Sequence, residues 1–105
     1  MEFFDRVRNR AYLKYLDRLQ GNNYGDSLQD WLDAELEEML EDKINEEAFL
    51  HYLREGDDAL HNYLIAKNDV MGRIRYLAYY MHEKNYNKPA NEVWVEAEKL
   101  YVKEF

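Results

Sequence analysis

The chain has no cysteine, one proline and four glycines among its 105 residues. The lack of cysteine excludes disulfides, thiolate metal sites and cysteine nucleophiles, and it fits a reducing compartment. Because so few residues interrupt a helix, long helices with short connections are favoured over a sheet. The N-terminus shows no signal-peptide core, and no apolar run approaches the roughly 20 residues that cross a bilayer. We therefore expect an all-α, cytoplasmic protein that does not associate with membranes.

Apolar and aromatic side chains are abundant, with 47% hydrophobic residues, ten tyrosines and two tryptophans. Such a composition is too apolar for a disordered chain, and the length is that of one ordinary domain. We expect a single domain, residues 1–105, folded as a compact bundle of about five helices.

Apolar residues three and four positions apart predict the helices, and glycine, asparagine and proline predict their ends. Ser27 is the expected N-cap of the second helix. A break or kink is expected at Gly56, because glycine is a poor helix former. The expected helices cover residues 2–20, 27–42, 45–66, 69–86 and 90–103.

The middle of the chain, residues 43–70, carries a row of apolar side chains, which we expect to face inward, and a row of polar side chains on the opposite side. The polar row has helical spacings that could gather metal ligands, but it lies roughly 180° from the apolar row. A solvated face is therefore expected, with no bound metal or other cofactor. The apolar row is Phe49, Leu50, Leu53, Leu60 and Leu64, and the polar row is Glu47, His51, Glu55, Asp58 and His61.

A two-part motif occurs twice in the chain. The sequence RVRNRAY at residues 6–12 recurs as RIRYLAY at 73–79, and WLDAE at 31–35 recurs as WVEAE at 94–98. Both parts return in the same order, which indicates an internal repeat.

The repeat predicts two helical hairpins, residues 3–42 and 71–105, joined by a central acidic helical segment, 43–70. In each copy the alanine allows close helix approach, and the tryptophan is a large anchor that covers it. An arginine of one helix is expected to pair with a glutamate of the other. The motif residues are Arg8, Ala11, Tyr12, Trp31 and Glu35 in the first copy and Arg75, Ala78, Tyr79, Trp94 and Glu98 in the second.

At these positions the chain resembles a bacterial domain family of unknown function. The signature of that family is an Arg-x-x-Ala-Tyr helix, a polar loop with glycine, and a Trp-x-x-Ala-Glu helix. Residues 75–98 look closest to it, and residues 8–35 fit with a longer loop. The resemblance implies a helical-hairpin fold, and it implies no activity, cofactor or catalytic residue.

Catalytic motifs are scarce. The four glycines form no phosphate-binding pattern, and the single serine, Ser27, is already explained as a helix cap. The tyrosines are expected to pack at the core or its boundary. We therefore predict that the protein is not an enzyme and has no catalytic residues.

Negative charge is concentrated in residues 26–58, which hold 13 acidic side chains against Lys43 and Arg54, a net charge of −11. An acidic surface repels phosphates and attracts basic proteins. We expect a protein-binding or regulatory module with a basic partner and no direct contact with nucleic acid. The candidate partner-binding residues are Glu35, Glu37, Glu38, Glu41, Asp42, Glu46 and Glu47.

Several alternatives stay open at this point. The acidic region could serve solubility alone, or it could mimic nucleic acid and block a basic nucleic-acid-binding site, as small phage anti-defence inhibitors do. Helical hairpins also form structural or assembly oligomers, and the oligomeric state is undetermined. A basic stripe, Arg10, Lys14 and Arg18, could contact phosphates, although Asp17 interrupts it.

Overall fold

A computed structural model describes residues 2–21, 25–56, 58–84 and 87–105, and within these ranges it contains helices and no strand. The prediction of an all-α fold is confirmed, although the described residues form four helices and not five. Across the described residues, no helix has the length and hydropathy needed for a bilayer crossing. The helices are α1 Phe3–Gln20, α2 Ser27–Glu55, α3 Ala59–Lys84 and α4 Ala90–Glu104.

The difference in helix number comes from two predicted ends that do not exist. Helix α2 continues past Asp42, and α3 runs through Asn68 and Asp69, where a new helix was expected. Asparagine and aspartate cost only some tenths of a kcal/mol in a helix, and neither glycine nor proline interrupts α2. Burial of Val70 directly after Asp69 outweighs that small cost. The predictions for α1 and α4 agree with the structure to within one residue.

Aspartate side chains cap the two central helices. The Gln29 amide donates to Asp26 Oδ1 at 2.7 Å, so Asp26 and not Ser27 caps α2. The His61 amide donates in the same way to Asp58 Oδ1 at 2.9 Å at the start of α3. Of the break or kink expected at Gly56, the structure has a break: this glycine has a φ of 67° and its amide donates to the Tyr52 carbonyl.

The chain divides into two compact units, and the boundary lies inside α2. Unit 1 reaches to Met39 and contains α1 and the first part of α2, which run antiparallel. Its buried apolar residues are Val7 on α1 and Ala34 on α2.

Unit 2 covers Leu40–Phe105 and contains the second part of α2 with α3 and α4. Helices α3 and α4 are antiparallel, since Arg73 near the middle of α3 contacts Tyr101 near the end of α4, while the last turns of α3 and the first turn of α4 line one groove. The buried apolar side chains of unit 2 are Leu40, Ile44, Ala66, Val70, Ile74, Val93, Ala97 and Tyr101.

The apolar row that was expected to face inward is exposed, so that prediction is wrong. The inward side of α2 in unit 2 is set by Leu40 and Ile44, one turn apart. Counting 100° per residue from Ile44 places the row's α2 members well away from that side. The exposed residues are Phe49, Leu50, Leu53, Leu60 and Leu64.

Two glycine substitutions, one at a helix end and one inside a helix, should change the free energy of unfolding in opposite directions. Gly56→Ala should lower the free energy of unfolding by about 1 kcal/mol, because alanine is strained at positive φ even though the space around it is open. Gly72→Ala lies inside α3, where an added Cβ also meets no atom within 4 Å, and it should raise that free energy by about 0.5–1 kcal/mol. Urea unfolding measures both values. Equal shifts of the same sign would contradict the assignment of Gly56 as the helix terminator.

Candidate functional site

Four basic residues form a row along α1 in unit 1. Arg6, Arg10, Lys14 and Arg18 are each four positions apart, so they lie on one face of the helix. Carboxylates of α2 lie opposite this row and form ion pairs with it. The salt-bridge ladder consists of Arg6, Arg10, Lys14 and Arg18 on α1 with Asp30, Glu37 and Glu38 on α2.

Glu38 is the centre of the salt-bridge ladder and is only 6% exposed. Arg6 Nε and Arg10 Nε each donate to one of its two carboxylate oxygens at 3.0 Å. Burial alone would raise the pKa of Glu38, but the hydrogen bonds from the two guanidinium groups outweigh it and lower that pKa. For Arg10, burial acts to lower the pKa, yet the hydrogen bonds to Glu38 and Glu37 raise it overall. Both groups are therefore held in their charged forms.

The remaining pairs extend the ladder towards the loop after α1. Lys14 Nζ lies 2.6 Å from Glu37 Oε1, and Arg10 Nη1 lies 3.1 Å from Glu37 Oε2. Arg18 Nε lies 3.1 Å from both oxygens of the buried Asp30, and this hydrogen bonding raises the pKa of Arg18. The predicted basic stripe thus pairs with carboxylates of its own unit, which removes the charge argument for phosphate contact.

The acidic candidates of unit 1 have structural roles. Glu38 and Glu37 belong to the salt-bridge ladder, and Glu38 is buried, so we assign it to that ladder and no longer to the acidic surface. Glu35 accepts a hydrogen bond from the indole Nε1 of Trp31 at 3.3 Å. The spacing of the four cations on α1 was the sequence signal that could have predicted these pairs.

Two acidic candidates of unit 2, Glu41 and Glu47, are partly buried. Glu41 accepts a hydrogen bond from the Tyr63 hydroxyl at 2.9 Å, and Glu47 Oε1 lies 3.0 Å from Arg73 Nη1. Asp42 and Glu46 lie one turn apart on α2 and are exposed. We call this pair the acidic edge.

The expected pairing of Arg8 with Glu35 is wrong. Arg8 forms its ion pair with Asp5, three positions earlier on α1, and Glu35 is engaged by Trp31 on its own helix. Side chains three positions apart on a helix are neighbours, so Asp5 is within reach of Arg8 without a partner from α2.

Each unit carries a groove lined by the sequence motif. The unit 1 groove has a volume of about 310 Å³ and the unit 2 groove about 290 Å³. Every lining residue of one groove has its counterpart at the aligned position of the other. The unit 1 groove is lined by Arg8, Ala11, Tyr12, Tyr15, Ser27, Asp30 and Trp31, and the unit 2 groove by Arg75, Ala78, Tyr79, His82, Ala90, Val93 and Trp94.

The arginine, alanine, tyrosine and tryptophan positions are identical in the two grooves, and the other three positions differ. The buried Asp30, which pairs with Arg18, corresponds to the buried Val93. The other two differing positions are Tyr15, which corresponds to His82, and Ser27, which corresponds to Ala90. The floor of the unit 1 groove is therefore ionic, and the floor of the unit 2 groove is apolar.

The contact between α3 and α4 in unit 2 has neutral side chains at several positions where the salt-bridge ladder of unit 1 has charged ones. Tyr101 is aligned with Glu38, and Arg73 is aligned with Arg6. Arg73 Nη1 donates to the Tyr101 hydroxyl at 3.2 Å, and this bond is the first cause of a raised pKa at Arg73. Further aligned positions change from charged to apolar, with Leu77 for Arg10, Met81 for Lys14 and Leu100 for Glu37.

The polar row proposed for the central segment does not form a single face, because the helix ends at Gly56. The break instead brings the rings of His51 and His61 to a centroid distance of 6.5 Å. Within the described ranges, no group of three or more histidine, aspartate or glutamate side chains could hold a metal ion.

Glu38→Gln tests the salt-bridge ladder. At neutral pH it should lower the free energy of unfolding by about 1–3 kcal/mol, since the two guanidinium groups lose their charged partner. The lowered pKa of Glu38 means that its contribution is present above the unfolded value of about 4.3 and is lost as pH falls through the folded value.

The wild type and Glu38→Gln should therefore converge in stability as the pH is lowered below about 4. Chemical unfolding at a series of pH values measures this. Glu46→Gln, at an exposed position, is the matched control and should change stability by less than about 0.5 kcal/mol. A constant difference between wild type and Glu38→Gln across the acid range would contradict the ladder's role.

Comparison of the chain with protein-family models, with characterised proteins and with solved structures finds no match. The resemblance to a bacterial family through the repeated motif accordingly stays a prediction.

Proposed function

We propose that this chain is a non-enzymatic protein-binding module whose partner is a protein with a basic surface. The observation that carries the proposal is the pair of grooves with the same arginine, alanine, tyrosine and tryptophan frame. Tyrosine, tryptophan and arginine are the residue types most enriched where proteins bind tightly.

The aromatic groups of the grooves are placed for contact with a partner. Tyr12 and Tyr79, at aligned positions, are both more than half exposed, and the aligned tryptophans Trp31 and Trp94 are partly buried. A side chain of a partner could therefore pack between an exposed tyrosine and a fixed tryptophan in either unit. The same four residue types recur in both grooves, and the tyrosine is exposed in both. Helix packing alone does not require an exposed tyrosine, so the recurrence supports a role in binding.

Charge supports a basic partner. The net charge is −8, and the four cations of α1 are already paired with carboxylates of α2. The acidic edge, Asp42 and Glu46, lies outside the salt-bridge ladder and is exposed. Exposed carboxylates raise the rate of encounter with a basic surface more than they raise the final affinity.

The test begins with affinity capture from source lysate, followed by binding kinetics with the identified and purified partner. Tyr12→Ala with Tyr79→Ala should weaken binding at least about tenfold, as expected for truncated aromatic anchors. Asp42→Asn with Glu46→Gln should slow association and flatten its salt dependence.

Asp33→Asn with Glu55→Gln is the matched control, because it makes the same change in charge at two other exposed positions. It should leave the affinity within about twofold of wild type. Binding that is unchanged by the tyrosine substitutions, or a partner without a basic surface, would overturn the proposal. If the partner binds nucleic acid and that nucleic acid competes with this chain for the partner, the chain acts by mimicking nucleic acid.

A further inference from the structure

We propose that two copies of the chain associate through an exposed apolar face of unit 2. This apolar face consists of two groups of side chains, one on the last turns of α2 and one on the first turns of α3. Their exposed fractions range from 50% to 67%, which is high for side chains of this size. The apolar face is Phe49, Tyr52, Leu53, Leu60 and Leu64.

Helix geometry places these side chains together. Phe49, Tyr52 and Leu53 follow a spacing of three and four, so they share one side of α2, and Leu60 and Leu64 share one side of α3. A groove of about 280 Å³ joins the two helices, and its lining includes Phe49 and Tyr52 from α2 and Tyr63 from α3. Phe49 and Tyr52 thus line the groove, and the three leucines of the face each directly follow a lining residue in the sequence.

The area of the face suits self-association. At about 200 Å² for a large side chain, the five exposed fractions amount to roughly 600 Å² of apolar surface. A standard interface buries about 800 Å² on each partner, and patches above about 300–600 Å² mark contact sites on soluble proteins. Two such faces, with the groove residues between them, approach a complete interface without a second surface.

A second copy is the occupant that the chemistry of the face favours. None of its five side chains carries a charge, so the face is compatible with itself under the two-fold rotation of a symmetric dimer. The acidic edge would repel an identical surface and calls for a different partner. Two pairs of helices packed face to face also reproduce a four-helix arrangement, in which each helix buries a broader apolar stripe.

Salt distinguishes this association from binding to a basic partner. Each copy carries a net charge of −8, so two copies repel each other, and added salt screens that repulsion. Self-association should therefore strengthen with salt, whereas contact with a basic surface should weaken. The inference does not rest on the proposed function, because the apolar face shares no residue with the two motif grooves or with the acidic edge, although Asp42 and Glu46 continue the side of α2 that carries Phe49 and Leu53.

Sedimentation equilibrium over a wide range of micromolar concentrations tests the inference. The wild type should show a concentration-dependent mass that approaches twice 12.8 kDa, and more completely at high salt. Leu53→Glu with Leu60→Glu should be monomeric throughout while retaining its helical circular dichroism. Leu13→Glu with Leu19→Glu, at comparably exposed positions of α1, is the matched control and should associate as the wild type does.

The milder Leu53→Ala with Leu60→Ala keeps the test valid if the glutamate variant fails to fold. It should raise the dimer dissociation constant at least about a hundredfold, because four leucine side chains leave the interface of each dimer. A wild type that stays monomeric at all concentrations would overturn the inference. So would apolar-face variants that dimerise as tightly as the wild type, or self-association that weakens with salt.

Discussion

Unit 1 depends on the buried carboxylate of Glu38 and the two guanidinium groups that hold it. The apolar core of this unit is small, with Val7 on α1 and Ala34 on α2 fully buried. A buried ion pair contributes little net stability compared with apolar packing, but the loss of one partner leaves a charge without its counter-charge, which costs about 1–3 kcal/mol at this partly exposed site. The position of α1 along α2 is therefore fixed by the requirement that Arg6 and Arg10 both reach Glu38.

Unit 2 reaches the same local arrangement of two antiparallel helices by different means. Tyr101 takes the place of Glu38, and Arg73 takes the place of Arg6, so a neutral hydroxyl replaces a carboxylate. Apolar side chains occupy the positions aligned with Arg10, Lys14, Asp30 and Glu37. The frame shared by the copies is the arginine, alanine, tyrosine and tryptophan of the groove, while the helix contact beneath it tolerates either charge or apolar packing.

Much of this architecture could be predicted from the sequence, because helix periodicity and Gly56 are local signals. The bounds of α1 and α4, the break at Gly56 and the alignment of the groove residues all depend on short-range patterns. The continuity of α2 could not be predicted in the same way, since acidic residues around Asp42 resemble a helix end but cost little inside one.

The candidate site was harder to predict than the helices. The acidic surface was inferred from charge counted along one region, but the charge that a surface presents depends on partners far away in sequence. Arg10, for example, precedes Glu38 by 28 positions and neutralises it in space. Likewise, the inward side of α2 in unit 2 is set by Ile44, and counting from Phe49 selects the exposed side.

The contrast between the ionic and apolar helix contacts has a consequence for how the chain folds. A protein with two similar hairpins is at risk of pairing the first helix of one copy with the second helix of the other. If α1 packed against α4, its basic row would meet Val93, Leu100 and Tyr101 and would be buried without counter-charges. The reverse error would bury carboxylates of α2 against apolar side chains of α3. The sequence differences between the two copies thus disfavour the pairing of a helix of one hairpin with a helix of the other.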